Sequence, residues 1–148
     1  AALGPNMLAL SRAATKGALP YCVTPEHTAE AREILGPDRW LCVEQKICLT
    51  ADESTARAVA QQQMARYMAL ANYRNNWFRL GFTEDEVTGE GAPRFLDAMV
   101  VWGGERQIRD CIEAHRAAGA DQVVLQAFKP DGGIGTDPKA LDAFAPGA

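Results

Sequence analysis

The strongest candidate for chemistry in this 148-residue chain is the segment Ala2-Leu3-Gly4-Pro5-Asn6-Met7. A strand end that passes through Gly into a helix start presents unpaired backbone N–H groups at the positive end of a helix dipole. That arrangement holds a phosphate without needing a basic side chain. Gly4 lacks a Cβ, so a ligand can approach closely. Pro5 has no N–H, which leaves Leu3, Gly4, Asn6 and Met7 as the donors. An ordinary tight strand-to-helix turn uses the same residues, so both readings stand.

Other residues carry weaker signals. His27 follows a strand end and a capped helix start, where it can donate to a carbonyl or phosphate or shuttle protons near neutral pH. A histidine at this position is more often simply an exposed first-turn residue. Tyr73-Arg74-Asn75-Asn76 is dense in hydrogen-bond donors, enough to line a pocket for a polar or anionic substrate, or to close a helix with Asn caps. Glu44, Gln45 and Lys46 sit in the middle of a strand pattern, with Glu44 and Lys46 on one face and Gln45 on the other. Inward-facing charges need partners, so these residues are expected to pair with each other or to form a polar layer under a pocket. His115 falls late in a helix and is given no chemistry. Trp77, Phe78, Phe82 and Trp102 can stack on a ring, although aromatics at helical spacing more often fill a core. No residue stands out as a catalytic acid or base.

The elements that must position these residues alternate between helix and strand. Met7, Leu8, Leu10 and Ala14 share a helical face behind Pro5 at the first helical position. Ala18 to Val23 reads as a short buried strand. Thr24-Pro25-Glu26 opens a helix that stops at Gly36-Pro37. Trp40 to Leu49 is the clearest strand. Thr50-Ala51-Asp52-Glu53 matches a capping box, and the stripe Ala56, Val59, Ala60, Met64, Tyr67, Met68 and Ala71 predicts one long helix behind it. The stretch from Phe82 to Pro93 reads as loop, Arg94 to Trp102 as helix, and Glu105 to Ala118 as helix. Asp121 to Phe128 reads as a strand, and residues 129–148 as a Gly- and Pro-rich loop or tail, with Gly132-Gly133-Ile134-Gly135 a linker. Three strands alternating with helices imply right-handed parallel crossovers in an α/β fold, with the residues before Asn6 as the tail of a fourth strand. A whole (β/α)8 barrel needs about 250 residues, so the count suits half of one.

Composition narrows the partners. Nineteen acidic against fifteen basic residues leave a net charge of -4, with no basic patch for a nucleic acid and no polybasic anchor. No apolar run reaches membrane-spanning length, and no signal peptide is visible. Cys22, Cys42, Cys48 and Cys111 form no C-x-x-C pair, and with two histidines available no zinc site is expected. They read as buried thiols in a reducing cytoplasm. The opening Ala1-Ala2-Leu3, without Met, suggests a piece of something longer.

Several segments together resemble the luciferase-like monooxygenase superfamily, within it the coenzyme F-420 (deazaflavin)-dependent oxidoreductases. They are Ala1 to Pro5, Pro20-Tyr21 with Val23 to Thr28, Glu44-Gln45-Lys46, Asn72 to Asn76 with Leu80-Gly81-Phe82, Trp102-Gly103, and Ala117 to Asp121. The resemblance runs to about Phe128. It implies the C-terminal half of a (β/α)8 TIM barrel over residues 1–128, with a helical insertion at about 51–103. It implies hydride transfer to or from a small organic substrate with coenzyme F-420, or FMN as the alternative. In that family the segment Leu3 to Met7 contacts the cofactor phosphate; His27 and Tyr73 to Asn76 would then belong to the substrate pocket. The family's first half, with most of its flavin-ring contacts, has no counterpart in this sequence. Half a barrel exposes strand edges, so self-association or union with a complementary N-terminal half is expected. A non-catalytic half-barrel that binds a phosphorylated ligand or a partner is the alternative.

Overall fold

A computed structural model describes residues 2–145. Its centre is one ten-residue strand, Trp40–Leu49 (β2), buried on both faces from Val43 to Cys48. Three parallel strands pair with it: Gly17–Ala18 (β1), Val100–Gly103 (β3) and Gln122–Phe128 (β4). β4 runs beside Cys42 to Cys48, while β3 runs beside Lys46 to Leu49. Their overlap puts them on opposite edges. Asp121 N donates to Leu41 O, and Trp40 N donates to Lys16 O. Adjacent residues of a strand point their hydrogen bonds to opposite edges, so β1 shares the β3 edge. The sheet is open: among the described residues no strand pairs with the far edge of β4.

Helices cover both faces. Pro5–Ala14 (α1), Pro25–Leu35 (α2), Glu105–Ala117 (α6) and Pro138–Phe144 (α7) pack over the face carrying Leu41, Val43 and Ile47. Glu53–Met68 (α3), Ala71–Arg79 (α4) and Pro93–Met99 (α5) close over the face of Cys48 and Val100. Trp77 anchors this second layer, edge-on to Phe95 at 4.6 Å, with Phe82 at 5.5 Å beyond. Of the four aromatics that could stack on a ring, Trp77 and Phe82 are core, whereas Phe78 is exposed and Trp102 half-buried. No helix among the described residues is long and apolar enough to cross a membrane.

Six local expectations change. Ala2-Leu3, expected as the tail of a fourth strand, pair with no strand of the sheet. The strand expected over Ala18 to Val23 is only Gly17–Ala18, because Pro20 has no N–H to donate and Cys22 turns the chain with φ +55. The cap at the start of α3 is Asp52 rather than Thr50: Asp52 Oδ1 accepts from Thr55 N at 2.7 Å, and Thr50 Oγ1 accepts from Asp52 N instead. The long helix breaks at Ala69-Leu70, so Tyr73 to Asn76 lie inside α4 and its asparagines are not caps. The helix expected to reach Trp102 ends at Met99, and the β-branched pair Val100-Val101 with Trp102 forms β3. Within the expected tail, Asp137 caps α7 by accepting from Lys139 N.

Gly17 lets β1 lie against β2, since a Cβ there would sit 2.0 Å from the Trp40 carbonyl oxygen. Backbone has nowhere to yield. Gly17→Ala is expected to cost about 2 kcal/mol and to lower Tm by roughly 4–8 °C in a thermal melt. An unchanged Tm would mean that β1 is not tightly held.

Candidate functional site

The sequence-derived phosphate segment sits where α1 begins. Gly4 is its N-cap in extended conformation (φ -88), and Leu8 N already donates to Gly4 O. The first-turn N–H groups of Asn6 and Met7 have no acceptor within the helix, and both residues are exposed. Arg79, at the end of α4, projects its guanidinium over this turn. A Cβ on Gly4 would lie 3.6 Å from Arg79 Nη1. Arg79 Nη2 donates to Leu3 O at 3.1 Å and to Asn76 Oδ1 at 2.6 Å. His27 Nε2–H donates to the same Leu3 carbonyl at 2.8 Å. A helix N-terminus with a guanidinium held beside it offers the donors that an anion needs.

Four candidates thus converge: Leu3, Gly4, His27 and Asn76. His27 is buried rather than an exposed first-turn residue, and burial lowers its pKa. Its Nδ1, like Asn76 Nδ2, is buried without a hydrogen-bond partner. The other pocket candidates separate. Tyr73 packs against Tyr67 at 5.2 Å, Arg74 Nη1 donates to the Met68 carbonyl that ends α3, and Asn75 is exposed. Arg79 itself went unnoticed in the sequence; its three-residue spacing from Asn76 along one helix was the available signal.

A second cluster lies on the even-numbered face of β2. Lys46 Nζ donates to Glu44 Oε1 at 3.0 Å, both side chains almost fully buried. The expected pairing of Glu44 with Lys46 is therefore made. Glu44 Oε2 accepts from Cys22 N at 3.1 Å, and Lys46 Nζ lies 3.1 Å from Cys22 Sγ. The ammonium also faces the Tyr21 ring at 3.7 Å. Tyr21 Oη donates to Gln126 Oε1 at 2.8 Å and meets Tyr67 Oη at 3.0 Å. Burial opposes the charge on Lys46, but the facing Cys22 and Glu44 outweigh it and raise its pKa. Burial pushes the Cys22 thiol and the Tyr21 phenol each up to about 12. At neutral pH this layer holds a charged lysine beside the Glu44 carboxylate, with the Cys22 thiol and the Tyr21 phenol protonated.

Gln45 serves the opposite face. Its Oε1 accepts from His115 Nε2–H at 2.9 Å, and its Nε2 donates to Lys46 O at 2.8 Å. With Nε2 protonated, His115 Nδ1 accepts from Thr28 Oγ1–H at 2.8 Å. His115 is thus a buried structural node. A separate groove of about 750 Å³ between α6, β4 and α7 is walled by Ile112, Leu125 and Phe144 with Arg109 and Arg116. It touches neither polar cluster.

No protein-family model matches the chain, and no curated protein does. The structure does match coenzyme F-420-dependent tetrahydromethanopterin reductase from Methanopyrus kandleri, with a TM-score of 0.57 at 17% identity. The match covers 88% of this chain and 45% of that one. The fold is that of about half of this reductase, an open sheet of parallel strands alternating with helices. This agrees with the expected α/β class of parallel strands alternating with helices. The chain spans less than half of the reductase's length, and at this identity the likeness is one of fold.

Two predictions follow from the faces of β2. Lys46→Met strands a buried carboxylate and is expected to cost about 3–5 kcal/mol in urea unfolding, with Glu44→Gln/Lys46→Met losing less. A loss under about 1 kcal/mol in the single variant would mean that the charges are not desolvated together. Burial, against a weaker upward pull from Glu26, lowers His115 from 6.5 to about 4. The unfolded chain therefore takes a proton that the folded chain refuses. The stability from neutral His115 is complete above pH 6.5 and is lost as pH falls toward 4. A decline on the order of 2–3 kcal/mol between pH 7.5 and 4 is expected to be missing in His115→Gln. Identical pH profiles for the two chains would remove His115 as the cause.

Proposed function

We propose that this chain is the C-terminal half of a coenzyme F-420-dependent oxidoreductase and that its task is to anchor the cofactor phosphate. The observation that carries this reading is Arg79 lying over the N-terminus of α1 beside Gly4, in a fold shared with an F-420-dependent reductase. The donor set fits a phosphate: free first-turn N–H groups of Asn6 and Met7 with a guanidinium already fixed by Asn76 and Leu3. FMN, which also ends in a phosphate, is the alternative occupant. When bound, the deazaflavin supplies the hydride chemistry, and the protein supplies position and electrostatics.

His27 acts in this scheme as a positioning residue, holding the Leu3 carbonyl so that α1 starts at a fixed point. The half-buried rings of Tyr21, Tyr67 and Tyr73 would form one wall for a small organic substrate, with Arg74 bracing α3 against α4 and Asn75 free to meet ligand. Ring contacts and the rest of the pocket would come from a complementary N-terminal half, or from a second copy, pairing along the free edge of β4. That edge is also what favours the second reading, a non-catalytic half-barrel that binds a phosphorylated ligand or a partner.

Fluorescence titration with coenzyme F-420 and with FMN separates the readings, using the chain alone and with a supplied N-terminal half. Saturable binding is expected, tighter with the added half, and Arg79→Gln should weaken it roughly tenfold by removing a charge-assisted contact. No signal with either cofactor in any combination would defeat the oxidoreductase reading and leave the non-catalytic one. Equal affinity for Arg79→Gln would dismiss the anchor.

A further inference from the structure

Outside the proposed anchor, the structure encloses a lysine, a thiol and a carboxylate in one dry cage. Lys46, Cys22 and Glu44 are 1%, 2% and 3% exposed. Lys46 Nζ sits 3.1 Å from Cys22 Sγ and 3.0 Å from Glu44 Oε1. The cysteine is held at three points: its N–H by Glu44 Oε2, its carbonyl by Trp77 Nε1 at 3.0 Å, and its sulfur by the ammonium. It is also the only described residue other than glycine with positive φ, at +55. Such strain persists when surrounding contacts over-determine a position, and it concentrates at functional sites. No disulfide partner competes, since all four cysteines are free. Nitrogen and sulfur are thus fixed in contact, with a proton acceptor touching the nitrogen.

We infer that Lys46 and Cys22 are a redox-linked modification site, which peroxide closes into a covalent Nζ–O–Sγ bridge and thiol reductants reopen. The balance uses two molecules of hydrogen peroxide. One ammonium, one thiol and two peroxides give the bridged N–H–O–S unit, three waters and one proton. Both peroxide O–O bonds break, an N–O and an O–S bond form, and nitrogen and sulfur each give up two electrons. Glu44, in contact with Nζ, accepts the released proton. The reaction thereby removes both charges from the interior, where a desolvated ion pair is costly. Reopening takes four electrons and four protons from two dithiothreitol molecules, which leave as cyclic disulfides, and it returns amine, thiol and one water. Burial keeps Cys22 in its thiol form and slows attack, so the oxidation is run for hours in excess peroxide. No cofactor takes part, and the outcome is independent of the anchor.

The purified full chain is treated with hydrogen peroxide, cleared of it, unfolded, alkylated with iodoacetamide and digested with trypsin. In the untreated chain trypsin cuts after Lys46, and Cys22 is recovered alkylated in peptide 17–32. After oxidation most cleavage after Lys46 is expected to be lost. Peptide 17–32 should appear joined to peptide 40–57, with one oxygen gained and two hydrogens lost, and dithiothreitol should separate them. The joined species should be missing in Cys22→Ser and when peroxide is added to the chain already unfolded in urea. Cys22 recovered as thiol, as sulfinic or sulfonic acid, or in a disulfide with Cys42 or Cys48 would overturn the inference, as would a joined species in either control.

Discussion

A carboxylate and an ammonium, two residues apart on the central strand and both out of water, set much of this structure's geometry. Burying either charge alone is prohibitive, and even the pair needs its remaining donors and acceptors matched. Glu44 and Lys46 meet that demand by capturing Cys22 from both ends, backbone N–H and sulfur. The capture fixes Cys22 in a left-handed turn, which ends the extended run after β1 and aims the chain into α2. His27 stands in the first turn of α2 and reaches the Leu3 carbonyl only because that turn is fixed. A charge pair in the sheet thus determines where α1 begins, one element away.

The two faces of β2 solve the same problem with different chemistry. On the even-numbered face the polar groups are charged and ringed by tyrosines, whose π faces accept the ammonium. On the odd-numbered face Gln45 and His115 are neutral, and every polar atom of the chain from Thr28 through His115 to Gln45 finds a partner. Neutral groups cost less to desolvate, and this suits a network under α2 and α6. The charged cage instead lies below half-buried tyrosine hydroxyls, which link it to Gln126 of β4 and so tie one edge of the sheet to the α3 layer.

Much of the scaffold was legible because its boundaries are set by residues with one physical effect. Pro5, Pro25 and Gly36 fix the ends of α1 and α2, and the β2 pattern survives its polar middle because Leu41, Val43 and Ile47 keep strict alternation. The failures have causes just as specific. Val100 to Trp102 continue the apolar spacing of α5, so the β-branched pair alone does not separate the helix from β3; pairing along the edge of β2 beside Lys46 to Leu49 does. A Gly-rich approach hides α7, although Asp137-Pro138 carries an ordinary cap and first-turn proline. Of the candidate site, Leu3, Gly4, His27 and Asn76 were identified from type and position. Arg79 and Cys22 were not, because their roles depend on contacts 76 and 24 residues away in sequence.

In the proposed anchor, Arg79 would be placed by this chain alone, without a closed barrel. Its Nη2 is occupied by Leu3 O and Asn76 Oδ1, while Nη1 lies toward Gly4 and donates to no acceptor among the described residues. A guanidinium is planar, so fixing one nitrogen fixes the direction of the others. The side chain's ordering cost is thereby met by protein contacts before any anion arrives, which is the sense in which a site is preorganised. Asn76 is itself buried and lies next to Trp77, the anchor of the α4 layer, and Leu3 is held from the other side by His27. Three segments distant in sequence meet at one carbonyl. Each is held by packing within residues 2–145, so the donor geometry facing Gly4 is complete with β4's far edge still unpaired.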